Sequence, residues 1–398
     1  MLLPKYLFLA AVAATAAATP AVAGTFQIVY SFQNKPDGNG PFAGLTAVNG
    51  QLYGTTGYGG TGGCFRGAGC GTVFAFNPAS ATETVLYSFR GGKSGGPLLV
   101  HSNLIKSGDK LYGVSQGGGG SPNCGYGCGT IFELDLNSGR EKRLYAFQGG
   151  DDGGSPDAGL LYPNGTLYGT TAGGGASDYG IVFAFNLKTQ TETVLHTFQG
   201  GAADGSDPAG ELTNVNGTLY GTTFEGGSTV NGSGFGTVYS INPQTGAEAV
   251  VYAVAGPPDG GMPVGKLLNI NGTLYGATLG GGNQACTAGC GTVFSLNPQT
   301  KAETVLHALT LNEGSYPEGI TRLGDKLYGA AVGGGADSGG SLFKMKLDGS
   351  GFKVLHDFGN TGDGMVPEAA PTASGGAIYG TTFFGGTAGL GTIYAYTP

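Results

Sequence analysis

The tripeptide Leu-Tyr-Gly returns through this chain at a spacing near fifty residues. It stands at Leu52-Tyr53-Gly54, Leu111-Tyr112-Gly113, Leu167-Tyr168-Gly169, Leu219-Tyr220-Gly221, Leu274-Tyr275-Gly276 and Leu327-Tyr328-Gly329, with Ile378-Tyr379-Gly380 as a variant seventh copy. Successive tyrosines are 59, 56, 52, 55, 53 and 51 residues apart. A period of that length means one supersecondary unit repeated, each burying its apolar face against its neighbours.

The fifth copy shows the unit clearly. Met262–Ile270 reads as a first strand, and Asn271-Gly272 supplies the two positive φ values of a type I′ hairpin. Thr273–Thr278 is a second strand, Gly291–Leu296 a third and Glu303–Leu309 a fourth. These are short β-branched and aromatic runs bounded by turn residues. Four antiparallel strands per unit make a propeller blade. The sequence therefore predicts an all-β fold, a seven-bladed β-propeller, with blades at about 41–89, 97–147, 156–198, 208–254, 263–309, 317–358 and 367–396 plus 26–32.

The last of these ranges is split for a reason. Six fourth strands follow a third strand, and a seventh copy, Phe26–Phe32, precedes the first blade. The chain correspondingly runs out on a third strand at Gly391–Tyr396. The two defects complement each other, so Phe26–Phe32 is expected to join the last blade as its outer strand and close the ring.

The combination of an Ala-Gly-Leu start, Asn-Gly-x-Leu-Tyr-Gly-Thr-Thr, Gly-Thr-Val-Phe and Glu-Thr-Val-Leu-His resembles the Gloeobacter/Verrucomicrobia-type tandem repeat (GloVer repeat) of exported bacterial proteins. The likeness covers nearly all of residues 24–398. It implies a secreted β-propeller, often with a C-terminal surface anchor, and no established activity. This chain departs from anchored members in stopping at Pro398 without a sorting tail.

Residues 1–23 read differently. Lys5, an apolar alanine-rich run and Ala21-Val22-Ala23 form the pattern of a secretory signal peptide cut after Ala23; a membrane anchor is the alternative, for which the run is short. The rest, 24–398, is expected to be one propeller without a membrane span, secreted, periplasmic or at the cell surface, and monomeric. A net charge of −8 with 11% charged residues offers no basic stripe for nucleic acid. Cys64 and Cys70, Cys124 and Cys128, and Cys286 and Cys290 fall in pairs inside single loops. An exported chain favours disulfides there; zinc would need ligands that these histidine-free loops lack.

Function is sought on the face carrying the long second-to-third loops and the crossovers, because the other face has only tight turns. Six crossovers carry an acidic residue four positions before a proline: Asp37, Asp152, Asp204, Asp259, Glu313 and Asp363; Lys93 stands there in blade 2. Ringed around the channel mouth, this set would suit Ca²⁺, a cationic group or sugar hydroxyls; as turn residues, the same side chains would bond backbone instead. His101 on an innermost strand is a further candidate, whereas His196, His307 and His356 share a repeat position with Tyr30, Tyr87, Tyr145 and Tyr252 on the outermost strand and read as packing. Loop aromatics, Tyr58, Phe65, Tyr126, Tyr179, Phe224, Phe235, Phe383 and Phe384, offer either stacking surface or rim packing.

No nucleophile elbow, zincin motif or P-loop occurs. No motif calls for a cofactor, and a quinoprotein is disfavoured by the lack of tryptophan. The sequence favours a non-catalytic binding scaffold for an extracellular glycan or protein. The alternative is a polysaccharide-active hydrolase or lyase using acidic residues at the channel mouth.

Overall fold

Four Asn-Gly pairs form the turn their residue types dictate. Asn49, Asn164, Asn216 and Asn271 have φ of 52–56°, and the glycine after each also has positive φ. Every hairpin so made starts a blade. In the computed structural model, which describes residues 24–398 except 34, 65–66, 92–99, 101, 228–232 and 360–361, seven small antiparallel sheets form a seven-bladed β-propeller; no α-helix occurs among the described residues.

Blade 5 runs Gly260–Ile270, Thr273–Gly281, Thr292–Asn297 and Ala302–Ala308, paired in that order. Blade 3 departs from the expected four strands. Its sheet holds Thr166–Thr171, Ile181–Asn186 and Thr191–Thr197, and the innermost strand shrinks to a bridge between Leu161 and Tyr168. Pro163 follows just after that bridge, without an N–H to extend the ladder.

The closing strand is where the repeat register puts it. Thr25–Ser31 pairs antiparallel with Thr392–Thr397, from Thr25 opposite Thr397 to Ser31 opposite Thr392. The Phe32 N–H then donates to Gly391 O at 3.0 Å. A register shift of one residue recurs in every outermost strand, between Ile28 and Tyr30 here and at the equivalent place in the other six blades. Such bulges sharpen strand twist.

The glycine of Leu-Tyr-Gly has a packing cause. The tip of the third-strand aromatic ring occupies the space where its Cβ would be. A Cβ on Gly54, Gly113, Gly169, Gly221, Gly276, Gly329 or Gly380 would come within 2.2–2.6 Å of Phe74, Phe132, Phe183, Tyr239, Phe294, Phe343 or Tyr394 respectively. The leucine before it is fully buried in all six exact copies, as is Ile378 in the seventh. The core therefore lies between blades: Phe32 meets Phe74 edge-on, Phe89 meets Phe132 and Phe147 meets Phe183, each with centroids 5.2–5.3 Å apart. The threonines that follow are structural too, as Thr56 and Thr72 share a buried hydroxyl contact of 2.9 Å that recurs at Thr223–Thr237, Thr278–Thr292 and Thr382–Thr392.

All three cysteine pairs are disulfides, Cys64–Cys70, Cys124–Cys128 and Cys286–Cys290. Each ties the base of a second-to-third loop, with Cys70, Cys128 and Cys290 fully buried.

Candidate functional site

The carboxylates four residues before the prolines turn back onto their own blades. Asp37 Oδ2 accepts from Tyr30 Oη at 2.9 Å and from the Gln33 N–H at 2.8 Å, and Oδ1 accepts from the Gly38 N–H. Asp259 repeats this with Tyr252, Ala255 and Gly260, and Asp152 with Tyr145 and Gln148. A histidine replaces the tyrosine at Asp204 (His196), Glu313 (His307) and Asp363 (His356). The expected ring at the channel mouth is therefore not how the structure arranges these six. Each fastens an outermost strand to the crossover behind it, because the ring one residue before the strand end lies within hydrogen-bond reach of the turn carboxylate. Burial raises the Tyr30, Tyr145 and Tyr252 hydroxyls, and the bonded carboxylate raises them further, so they stay protonated donors at neutral pH. Lys93, His101 and Phe65 lie outside the described residues.

A different set of carboxyls meets at the channel mouth. The seven innermost strands enclose a cavity of about 360 Å³, lined by the residues immediately after the crossover prolines. Asp157, Glu318 and Glu368 contribute from blades 3, 6 and 7, and Asp207 and Glu211 from blade 4. Glu211 is neutralised by an ion pair with Lys266 and accepts from Asn103 Nδ2 at 3.4 Å. Glu318 and Glu368 have no cation beside them among the described lining residues. Burial, with the charges of Glu368 and Asp157 added, pushes the Glu318 carboxyl up to about 8. Burial likewise raises Asp157, with Asp207 adding to it, as well as Asp207 itself and Glu368. The mouth is thus a polar basin of mutually repelling carboxyls in which part of the set carries protons at neutral pH.

The repeat that builds this basin is a known one. The model of the Gloeobacter/Verrucomicrobia repeat matches residues 17–235, 121–326 and 284–398. The chain belongs to the Gloeobacter/Verrucomicrobia repeat family. No curated protein matches the sequence. Among solved structures, an oligogalacturonate lyase in complex with manganese is similar over 95% of this chain and 98% of its own, at 12% identity and a TM-score of 0.55. A Bacteroides uniformis protein assigned as a 6-phosphogluconolactonase is similar over 87% and 95%, at 15% identity and a TM-score of 0.53. At these identities the likeness is one of fold.

Within the Gloeobacter/Verrucomicrobia repeat, the channel residues are departures from the unit. The first blade opens Pro41-Phe42-Ala43-Gly44-Leu45, while Asp157, Glu318 and Glu368 replace the residue after the proline. Glu211 and Lys266 stand where Gly44 and Gly159 stand. Sequence reasoning attended to the acidic position that recurs and passed over these, although departure from the repeat is the signal that finds them.

Phe224 joins the basin to a second cavity. It lines both the channel and a pocket of about 420 Å³ formed with Phe235, Pro257, Met262 and the Cys286 loop. Of the other loop aromatics, Phe383 packs on Phe42 at 4.3 Å, and Tyr126, Tyr179 and Phe384 are exposed.

Proposed function

We propose that this propeller is an exported binding scaffold whose ligand is a glycan seated across the channel mouth, with a basic or hydroxyl-rich group among Asp157, Glu318 and Glu368. The observation that carries this is that Phe224 lines both the carboxyl basin and the neighbouring Phe235 pocket. Carboxyls in mixed protonation states both donate and accept, which suits sugar hydroxyls, and an amino sugar would relieve the repulsion between them. Aromatic faces beside them suit the apolar side of a pyranose ring. The disulfides and the absence of any membrane-crossing helix among the described residues agree with an extracellular or periplasmic setting.

The test is a glycan array probed with residues 24–398, followed by titration of the best ligand against Glu368→Gln and Phe224→Ala. Loss of at least about tenfold in affinity in both is expected; each substitution removes one polar or stacking contact. Binding that survives both places the ligand elsewhere.

A second reading has its own support. A carboxyl held up to about 8 beside ionisable neighbours is the pattern of a general acid and its partner base. On this reading the propeller cleaves the glycan it holds, with Glu318 as acid. Glu318→Gln would then abolish turnover of an array hit while leaving its affinity within about twofold.

A further inference from the structure

The outermost strands meet across each blade interface in a three-residue contact that varies informatively. One strand supplies tyrosine or histidine, the next blade supplies a third group, and at six of the seven interfaces the following crossover supplies the carboxylate already described, Lys93 standing at that position in the seventh. In five blades that group is a glutamate at one register position: Glu83, Glu141, Glu192, Glu248 and Glu303, opposite Phe76, Leu134, Phe185, Ile241 and Leu296. Blades 6 and 7 carry Phe352 and Phe26 instead. There the facing residue is a histidine, stacked on the phenylalanine at 3.7 Å for His307 and 3.5 Å for His356. Four of the five glutamates face a tyrosine. His196 is the one histidine that faces a glutamate, so a single interface presents an imidazole and two carboxylates together.

The geometry there points to a divalent transition-metal site of the zinc type, with His196, Asp204 and Glu248 as ligands and water completing the shell. The three ligand atoms lie within 4.8 Å of one another. His196 Nε2 stands 3.3 Å from Asp204 Oδ2 and 3.4 Å from Oδ1, long for a charge-assisted hydrogen bond. It is the separation that bonds of about 2.0–2.1 Å impose between neighbouring tetrahedral ligands, about 3.3–3.4 Å. Glu248 Oε1 is buried without a hydrogen-bond donor. A buried oxygen of this kind recurs at Glu83, Glu141 and Glu192, but only Glu248 clusters with an imidazole and a second carboxylate. Asp204 is oriented by the Gln199 and Gly205 N–H groups at 2.8 and 2.7 Å, and His196 stands edge-on to Phe198, so two of the three ligands are held in place by neighbouring groups. The His196 side chain keeps 19% exposure, enough for a metal to reach it. A metal here links the outer strands of blades 3 and 4.

The test uses untagged protein, residues 24–398, stripped with chelator, equilibrated with zinc and dialysed. One zinc retained per chain is expected, with a rise in melting midpoint on zinc addition. His196→Tyr installs the residue that four sister interfaces carry, so the fold should stand while zinc is lost. Glu248→Gln should weaken zinc at least about tenfold, and His307→Tyr should change nothing. The proposal is overturned if wild-type protein retains no zinc, if His196→Tyr retains it, or if His307→Tyr loses it.

Discussion

Replacing Gly276 with alanine tests the packing that makes the repeat. The added methyl would lie 2.6 Å from Phe294 Cζ and 2.8 Å from Phe294 Cε1 and Leu267 Cδ2. Carbon contacts settle at about 3.5–4.0 Å, so ring and isobutyl group must retreat by about 1 Å. Neither has room: Phe294 is 3% and Leu267 1% exposed. Overpacking of this kind costs about 1–3 kcal/mol. Without a positive φ at Gly276 there is no backbone strain to add, and the stiffer unfolded chain returns up to about 1 kcal/mol. At about 2.1 cal/mol/K per residue over roughly 375 residues, a net loss centred on about 1–2 kcal/mol lowers the melting midpoint by about 1–3 °C. Urea unfolding and calorimetry would measure it beside Gly63→Ala, where nothing stands within 4 Å of the new atom and only the unfolded-chain gain of up to about 1 kcal/mol is expected. Adding Phe294→Leu should make the alanine nearly neutral, a coupling of about 1 kcal/mol or more. Gly276→Ala protein as stable as wild type would refute the account of why the glycine recurs.

Four other outcomes follow from the same contacts. Glu318 has a raised folded-state pKa of about 8 against an ordinary value of 4.5, so its stabilising share is intact below pH 4.5 and is lost as pH climbs through 8. Glu318→Gln should accordingly match wild type in denaturant midpoint near pH 4.5 and exceed it at pH 9, by up to a few kcal/mol at about 1.4 kcal/mol per unit. Asp152→Ala leaves the Tyr145 hydroxyl and the Gln148 N–H without their acceptor; it should cost about 1–3 kcal/mol in urea unfolding and leave ligand affinity at the channel unchanged. Tyr394 Oη is buried without a partner, so Tyr394→Phe should raise the melting midpoint, by a gain of about 1 kcal/mol. Serine at both Cys124 and Cys128 opens a four-residue separation and should cost about 2 kcal/mol, with faster proteolysis within that loop as the more sensitive reading.

The fold was legible because its signals are local. Asn-Gly turns, β-branched runs and a fixed period leave one architecture, and counting outer strands against third strands exposed the closure by Thr25–Ser31. The shortened inner strand of blade 3 was also written in the chain, at Pro163. The site was less legible because position along the strand says little about which way a carboxyl turns. Asp37 and its equivalents recur because a tyrosine or histidine seven residues or so away needs an acceptor, a pairing visible only once the outermost strand and the crossover lie side by side. Asp157, Glu318 and Glu368 carry no motif. Only the ring brings together three residues from blades 3, 6 and 7.

The strand that completes blade 7 makes the first segment of the propeller the partner of the last. Until that meeting, blade 7 exposes the edge of Thr392–Thr397, and Thr25–Ser31 is a free β-strand with a matching register. Nothing in the pairing requires both to come from one molecule. At high concentration, or when refolding is slow relative to encounter, the arm of one chain can complete the ring of another, giving reciprocal dimers or open chains of propellers. The same clasp that makes seven blades one cooperative body is thus the point at which two bodies can be exchanged.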